Sequence, residues 1–365
     1  MFRKFSFLAV TMASFSWPST GSSAAETQPQ AIPAVKNVRV LATGGTIAGA
    51  GQASGSSYRA GVVAIDDILR TVPGLSEIAN ISAEQVANVG SYDMDEGLWL
   101  KLLGRVEAAL ADPQISGVVI THGTDTLEET AFFLSLVLPS AKPVVVVGSM
   151  RPGTATSADG PENLLDAVRV ASADEARNRG VLVVMNDTIF DPASVTKVDV
   201  QRVNAFAAPG RGPIGEALTR RPRFFASAVP RDAAFSIVSG NLPRVAIAYA
   251  YAGVRADDVR GAAKGAKGLV FAGVGAGGFS APARRTVKEL TSKGLSVVRV
   301  ARQGNGDVWV RDSTTGDLSD QALGTIAGRE LTPAKARILL MLALQSARNS
   351  AALQSLFDQY GTGRR

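Results

Sequence analysis

The chain of 365 residues contains no cysteine and a single histidine, His122. No disulfide can form, so the fold must be stabilised by the size of its core and by association of subunits. The usual zinc sites need several cysteine or histidine ligands and are therefore excluded. Catalysis by a serine-histidine-aspartate triad would have to use His122. We expect no metal site in this protein.

Long apolar runs are also missing after the N-terminal leader, so no membrane partner is expected once that leader is removed. Within residues 1–25, Arg3 and Lys4 precede a short apolar stretch that ends in small residues. This order is typical of a secretory signal peptide, although a membrane anchor is an alternative. We predict cleavage after Ala25, a linker over 26–36, and a periplasmic or secreted protein.

Clustered positive charge is scarce, although the formal net charge is +6. The one local cluster, Arg220-Arg221-Pro222-Arg223, lacks the aromatic residues that accompany many nucleic-acid surfaces. A solvated linker is the favoured interpretation over a nucleic-acid patch. We expect no nucleic-acid partner.

The composition, 46% hydrophobic and 19% charged, is ordinary for a globular enzyme. Apolar β-branched runs such as VRVLA (38–42), SGVVI (116–120) and KPVVVVGS (142–149) end in polar or glycine-rich turns. Segments with the apolar spacing of helices lie between them. This alternation predicts an α/β fold with a parallel or mostly parallel sheet flanked by helices.

The alternation stops in a stretch rich in proline, glycine and arginine and then resumes. We predict a larger N-terminal α/β domain over 37–224, an interdomain linker over 225–243, and a smaller C-terminal α/β domain over 244–365. Ligands of open parallel sheets bind beyond the carboxyl ends of the strands. The candidate functional residues are therefore the polar ones that follow each apolar run.

Thr46 follows a strand and two glycines, Gly44 and Gly45. Glycine permits backbone shapes and close approaches that other residues resist, so a substrate could lie directly on the chain there. The alternative interpretation is a strand-to-helix turn in which Thr46 caps the helix. A dinucleotide loop is disfavoured because the spacing does not match G-x-G-x-x-G.

Thr124 and Asp125 lie where a strand is predicted to end and a helix to begin. Thr126 and Glu129 match a capping box, and Asp125 with Glu128 offers a shifted version of it. Backbone N–H groups and the positive end of the helix dipole converge at such a point. His122 would share the face of Thr124 but lie deeper, so we expect it to bond locally and pack beneath the turn. The threonines are better placed for chemistry.

A hydroxyl needs a neighbouring group to remove its proton before it becomes a good nucleophile. Lys197 follows an apolar strand and could reach inward. An ordinary lysine has a pKa of about 10.4, and making it a resting base would require a shift of roughly three units, worth about 4 kcal/mol. A nearby Asp125 carboxylate would oppose that shift. We therefore expect Lys197 to orient Thr124 and relay protons; a solvated loop lysine is the alternative.

Several stretches together resemble the bacterial type II L-asparaginases, which include the glutaminase-asparaginases. The two signature stretches are LATGGTIAG (41–49) and GVVITHGTDTLEETAFFL (117–134), and the similarity extends to GSYDM (90–94), VGSMRPGTATSADGPENL (147–164), RGVLVVMNDTIFDPASVTK (179–197) and LTPAKARILLMLAL (331–344). The resemblance covers nearly all of the chain after the leader. It implies hydrolysis of the side-chain amide of free asparagine, with glutamine left open, without a cofactor.

The resemblance also assigns roles by matching position. Thr46 corresponds to the nucleophile and Tyr58, in a glycine-rich loop, to its activating partner. Thr124, Asp125 and Lys197 correspond to a second catalytic cluster. Among the substrate-binding positions, Ser91 would bind the α-carboxylate, Asp125 the α-ammonium, and Thr124 with N–H groups near Gly45 a developing oxyanion. The family also implies a homotetramer whose sites lie at a dimer interface.

Some positions depart from the family pattern. Tyr92, which matches a substrate-binding position, stands where glutamine or glutamate is common, and Gly278 stands where asparagine or serine is common. The acidic residue that a neighbouring subunit contributes to substrate binding corresponds best to Asp317, with Asp312 and Asp320 as alternatives.

Two other functions remain open at this point. GVGAGG (273–278) formally matches a dinucleotide loop, but no acidic residue ends the next strand. A periplasmic amino-acid-binding protein would also combine a leader, two α/β domains and a polar cleft. Reactive threonines beside a lysine favour catalysis, because a binding cleft needs no activated hydroxyl.

Overall fold

The computed structural model describes residues 35–51, 58–218, 221–230, 232–237, 240–347 and 349–362. The predicted signal peptide and residues 26–34 of the predicted linker lie outside these ranges. From Val35 onward the chain forms one compact unit. None of the described helices is long and apolar enough to cross a bilayer.

The described strands and helices alternate as predicted. The strands are β1 (Lys36–Gly44), β2 (Ala50–Gly51), β3 (Tyr58–Arg59), β4 (Ala79–Val89), β5 (Ile115–Thr121), β6 (Val144–Val147), β7 (Val181–Met185), β8 (Thr188–Phe190), β9 (Thr196–Lys197), β10 (Phe206–Ala207), β11 (Gly215–Glu216), β12 (Arg223–Phe224), β13 (Val245–Tyr249), β14 (Gly268–Gly273), β15 (Ser296–Ala301) and β16 (Thr325–Ala327). The helices are α1 (Ile65–Arg70), α2 (Leu75–Ile78), α3 (Glu96–Ala111), α4 (Leu127–Val137), α5 (Gly160–Ser172), α6 (Ala256–Ala263), α7 (Ala281–Ser292), α8 (Asp320–Leu323), α9 (Pro333–Ala343) and α10 (Ser350–Tyr360).

The larger sheet has the strand order β12-β11-β8-β7-β6-β5-β1-β4. Strands β4, β1, β5, β6 and β7 are parallel to one another. Strands β8, β11 and β12, each antiparallel to its neighbour, extend the sheet beyond β7. The smaller sheet, β13-β14-β15-β16, is entirely parallel. The predicted fold class is therefore confirmed, with a mostly parallel sheet in the N-terminal part and a smaller one in the C-terminal part.

Successive side chains of the central strands point to opposite faces of the larger sheet, and both faces are covered. Leu41 and Ile120 belong to the core beneath α3 and α4, whereas Val40 and Val119 belong to the core beneath α5. Strands buried on both faces explain why these segments are continuous apolar runs. The sheet gives the turns at its carboxyl end a rigid base.

Helix α9 joins the two parts of the chain. It packs on α4 and also on β13, β14 and β15 of the smaller sheet. Buried residues of both sheets, such as Ile120 and Val270, consequently belong to one continuous core.

Candidate active site

Two glycine-containing turns meet at the carboxyl ends of neighbouring strands. Strands β1 and β5 are parallel, and Ala42 lies opposite Thr121 in their register. Gly45 has a positive φ of 80°, which is unfavourable for residues with a side chain. A Cβ atom on Gly45 would overlap the backbone of Gly123. Glycine is therefore required for the two turns to touch.

This contact brings Thr46 and Thr124 to the same place, because each directly follows one of the touching glycines. Both side chains are buried in the single chain, at 7% and 4% exposure. Thr46 opens the short 3-10 helix Thr46–Ala48, whose N-cap residue is Gly45. The alternative that Thr46 caps a helix is therefore wrong.

Lys197 completes a cluster with Thr124 and Asp125. Its Nζ donates to Thr124 Oγ1 at 2.9 Å and to Asp125 Oδ1 at 2.7 Å. The Lys197 side chain is 14% exposed, whereas that of Asp125 is 59% exposed. The alternative of a solvated loop lysine is wrong. Since Thr124 Oγ1 accepts a bond from the ammonium, its hydroxyl hydrogen is available for a bound molecule.

His122 lies beneath this cluster and is completely buried. Its Nδ1 is 2.7 Å from Gly123 O, and its Nε2 is 2.9 Å from Thr130 Oγ1. A carbonyl only accepts, so Nδ1 carries the hydrogen and Nε2 of the neutral ring accepts from Thr130. Burial lowers the pKa of His122 to about 4, against the opposing effect of the bond to Gly123. The prediction that His122 bonds locally beneath the turn is confirmed.

The predicted capping boxes are wrong, because these side chains bind distant partners. Thr126 is the N-cap residue of α4 but makes no side-chain capping bond; its Oγ1 donates to Ser91 O at 2.8 Å. Asp125 pairs with Lys197. The Glu128 carboxylate accepts from the Thr196 hydroxyl at 3.0 Å and from the Lys197 backbone N–H at 2.6 Å. Glu128 contacts this cluster but was not predicted to do so, because its only local signal was the capping pattern.

Ser91 lies over the junction of the two turns. A Cβ atom on Gly123 would lie 2.8 Å from Ser91 Oγ, and Ser91 is 5% exposed. Its Oγ accepts the N–H of Asp125 at 3.2 Å. The hydroxyl hydrogen of Ser91 can therefore point toward a ligand. A threonine pair, a lysine–aspartate ion pair and a serine hydroxyl thus converge at the end of the sheet.

Comparison with known proteins identifies the family. The family model described as "Asparaginase, N-terminal" matches residues 37–230, and the one described as "Glutaminase/Asparaginase C-terminal domain" matches 244–357. The chain belongs to the asparaginase family. It is 43% identical to L-asparaginase 2 of Bacillus subtilis, over 93% of this chain and 90% of that protein.

Two further relatives extend the comparison. A glutaminase-asparaginase of Pseudomonas fluorescens biotype A is 42% identical over 89% of this asparaginase-family chain and 90% of its own length. The crystal structure of a probable cytoplasmic L-asparaginase from Campylobacter jejuni superposes with a TM-score of 0.84 at 40% identity. That match covers 89% of this chain and all of the other. None of these relatives is described as a binding protein.

Tyr58, the predicted partner of Thr46, lies on a hairpin that returns to the two turns. Its backbone pairs with Gly51, and Gly61 N–H donates to Gly45 O at 3.0 Å. Thr154 Oγ1 binds both the N–H and the carbonyl of Gly51 at 3.0 Å. Residues 52–57, which include most of the predicted mobile loop, lie outside the described residues, as does the Tyr58 side chain.

Tyr92 departs from the family pattern and does not join the buried cluster. Its side chain is 73% exposed, and its ring turns back over Gly90, where a Cβ atom would collide with it. The Tyr92 ring therefore lies on the surface, outside the buried threonine and lysine cluster.

The three acidic candidates for the intersubunit residue differ in what they bind. Asp317 is largely exposed, with Arg284 3.7 Å away. Asp312 accepts the N–H of Thr314 at 3.0 Å within its own turn. Asp320 is buried and forms a two-point ion pair with Arg299 at 2.6 Å for both bonds. Asp320 is therefore buried within its own chain, whereas Asp312 and Asp317 are both exposed.

The GVGAGG loop does not form an open phosphate cradle. Val274 and Gly278 bond to each other in both directions, N–H to carbonyl, at 3.2 and 2.7 Å. The loop thus closes on itself, and a Cβ atom on Gly273 would lie 2.5 Å from Gly277. This geometry removes the support for a dinucleotide site.

Among the described residues, one group of acidic side chains has the spacing of a metal site: Glu162, Asp166 and Asp187. None of them is a predicted site residue. Arg169 donates to Asp166 at 2.7 Å and to Glu162 at 3.2 Å, so a cation of the protein already neutralises part of this charge. Burial raises the pKa of Asp166 to about 7, which Arg169 opposes.

Proposed function

We propose that this protein hydrolyses the side-chain amide of free L-asparagine to L-aspartate and ammonia, with L-glutamine as the second candidate substrate. The observation that carries the proposal is the Lys197 ammonium, which bonds Thr124 and Asp125 together beside the Gly45–Gly123 contact. In this arrangement two threonine hydroxyls would lie next to a charged group that can bind an amino acid. The asparaginase and glutaminase-asparaginase relatives support the substrate class.

The charges of a free amino acid fit this surface. The half-exposed Asp125 carboxylate would bind the α-ammonium, and the Ser91 hydroxyl would donate to the α-carboxylate. Since these groups lie at the end of the sheet near Thr46, the side-chain amide would extend toward the threonines. Tyr92 replaces a polar residue of the family beside this anchor and would influence the choice between the two amides.

The first half of the reaction would use Thr46. Its Oγ attacks the amide carbon while Tyr58 accepts the hydroxyl proton, and a tetrahedral oxyanion forms. The Gly45 N–H already donates to Val89 O at 2.9 Å, so the Thr124 hydroxyl is the better-supported oxyanion donor. The C–N bond then breaks as the nitrogen takes up the proton, which releases ammonia and leaves an ester on Thr46.

The second half of the reaction would hydrolyse that ester. A water molecule adds to the ester carbon, the bond to Thr46 Oγ breaks, and the threonine recovers its proton. Lys197 would act as a donor that orients Thr124 and relays protons, because its ammonium is paired with Asp125 at 2.7 Å. The scheme needs no cofactor and no metal.

Assembly and export are further parts of the proposal. Large apolar side chains remain about half exposed at the carboxyl end of the smaller sheet, including Tyr249, Tyr251 and Trp309. Large exposed aromatic side chains are candidates for a surface that another subunit covers. We infer a homotetramer in which Asp317 of a neighbour completes each site. Export to the periplasm or beyond rests on the leader, since the Campylobacter relative is described as cytoplasmic.

Ammonia release from asparagine tests the function, and two variants test the site. Thr46→Ala should abolish turnover, and Thr124→Val should lower kcat about 100- to 1000-fold, as for loss of one oxyanion donor. The control is Thr71→Val, a threonine at the end of α1 whose hydroxyl binds only Ile68 O. Near-wild-type turnover in a folded Thr46→Ala or Thr124→Val protein would refute the assignment, and tight asparagine binding without ammonia release would refute the enzyme.

A further inference from the structure

Lys197 is not fixed by the main sheet. It lies on β9, a two-residue strand that pairs only with the equally short β10, opposite Phe206. A pair of two-residue strands restrains the position of a side chain only weakly. The Lys197 ammonium nevertheless makes two short bonds, to Thr124 and Asp125. Other contacts must hold the lysine backbone in place.

Glu128 supplies the first of these contacts. Its side chain is almost fully buried in the first turn of α4, and its two carboxylate oxygens are divided between neighbouring residues. Oε1 accepts from the Thr196 hydroxyl and Oε2 from the Lys197 N–H. Glu128 follows Thr124 by four residues. The segment that carries Thr124 and Asp125 therefore also fixes the backbone of the lysine that binds them.

Lys335 supplies the second contact, from α9 in the C-terminal part of the chain. Its ammonium is completely buried and donates to Ala193 O at 3.3 Å and to Val195 O. The two carbonyls belong to the segment that leads into Thr196, and that of Val195 directly precedes it. Burial lowers the pKa of Lys335 to about 8, and the carboxylates of Glu128, Asp191 and Glu129 oppose that effect. The segment before β9 is thus held by a buried ammonium, and β9 itself by a buried carboxylate.

We propose that Glu128 is a positioning residue of the hydrolase, which sets the Lys197 ammonium on Thr124 and Asp125, with Lys335 fixing the backbone that precedes Thr196. The proposal rests on the role given to Lys197 above. Glu128 touches no reacting atom in this scheme. Its contribution is the correct placement of Lys197, and a displacement of about 1 Å at such a position can cost about 100-fold in rate.

Glu128→Asp is the most direct test. It keeps the negative charge opposite Lys335 but withdraws the carboxylate by one methylene group from both bonds. We expect kcat for asparagine to fall about 100-fold, with KM changed by no more than a few fold, because Lys197 is not assigned to substrate binding. Glu128→Gln keeps the reach and one acceptor oxygen and should retain more activity than Glu128→Asp. Equal or reversed activities of these two variants would overturn positioning by geometry.

The matched control is Glu129→Asp. Glu129 is the next residue of the same helix and makes no bond to Thr196 or Lys197. Its kcat should stay at the wild-type value, and its melting temperature gives the cost of shortening an acidic side chain at this point of α4. If Glu128→Asp does not fold, Thr196→Val carries the test, since it removes one of the two bonds and leaves the charges in place. It should lower kcat about tenfold, which corresponds to the free energy that one hydrogen bond contributes. An unchanged kcat would overturn the proposal.

Lys197→Ala separates this proposal from the one on which it rests. If Lys197→Ala keeps wild-type turnover, the role of Lys197 itself fails. If it loses turnover while Glu128→Asp does not, only the role of Glu128 fails. The double variant Glu128→Asp with Lys197→Ala, measured at high enzyme concentration, should have the same kcat as Lys197→Ala alone, because the lysine that Glu128 positions is gone. A further 100-fold loss would show that Glu128 acts through another group.

Discussion

The buried position of His122 determines how its imidazole titrates. Burial lowers its pKa to about 4 from the usual 6.5. The chain has no other histidine, so one imidazole signal reports this group alone. We expect the C2–H proton resonance to stay unchanged from pH 8 to about 5.5 and to titrate near pH 4. A midpoint near 6.5 would show that the ring reaches solvent.

The same shift predicts how stability depends on pH. Between pH 6.5 and 4 the unfolded chain binds a proton at this histidine and the folded chain does not, so stability falls as the pH falls through that range. The loss attributable to His122 is roughly 3 kcal/mol. Denaturant melts of the wild type and of His122→Gln, compared at pH 7 and pH 4.5, isolate this contribution. An equal pH dependence in both proteins would contradict it.

Single residues also show where sequence reasoning ends. Thr46 and Thr124 were identifiable because each follows a glycine at the end of an apolar strand, and neighbouring parallel strands bring such ends together. The direct bond from Lys197 to Thr124 joins residues far apart in the sequence, and it was expected because a threonine hydroxyl needs a neighbouring group for proton transfer. Glu128 had no such signal. Its partners lie on a strand that no local pattern links to α4, so its position became visible only in the folded chain.

At the level of secondary-structure elements, the turn after β1 depends on glycine for two separate reasons. Gly45 needs a positive φ of 80°, and it also touches the backbone of Gly123. Gly74, with a φ of 81°, has no neighbour within 4 Å of the corresponding position. We expect Gly74→Ala to cost only about 1 kcal/mol of backbone strain. Gly45→Ala should cost clearly more and also lower kcat, because separating the turns moves Thr46 from Thr124.

Chemical denaturation of both glycine variants, with kcat measured beside it, checks this expectation. If the two substitutions reduce stability equally and leave kcat intact, the contact between the turns does not position the threonines.

The elements themselves were largely predictable, since buried parallel strands are continuous apolar runs and the helices between them keep a regular apolar spacing. VRVLA lies within β1, and KPVVVVGS contains β6. The start of α4 was located, but its capping was not. The polar side chains at its start, those of Asp125, Thr126 and Glu128, bond to Ser91, Lys197 and Thr196, and these tertiary partners take the place of the local ones.

In the molecule as a whole, the C-terminal part supports the site through α9. The fully buried Lys335 of this helix reaches the carbonyls before Thr196, and the cores of the two sheets are continuous. The domain boundaries stay a prediction, but the shared core implies that the two parts stabilise each other. The C-terminal part would also contribute to a neighbouring site through Asp317, which is largely exposed.

Subunit mixing tests whether the site is shared between two chains. If Thr46 of one subunit and Asp317 of its neighbour form one site, Thr46→Ala and Asp317→Ala should each lose most activity as pure proteins. Unfolding and refolding them together should restore about a quarter of the wild-type turnover, because random pairing makes half of the pairs mixed and each mixed pair holds one intact site. Sedimentation should give a mass four times that of the chain. An active monomer would place every residue of the site in a single chain. Mixed subunits that stay inactive, although both pure variants assemble, would assign the shared position to a residue other than Asp317.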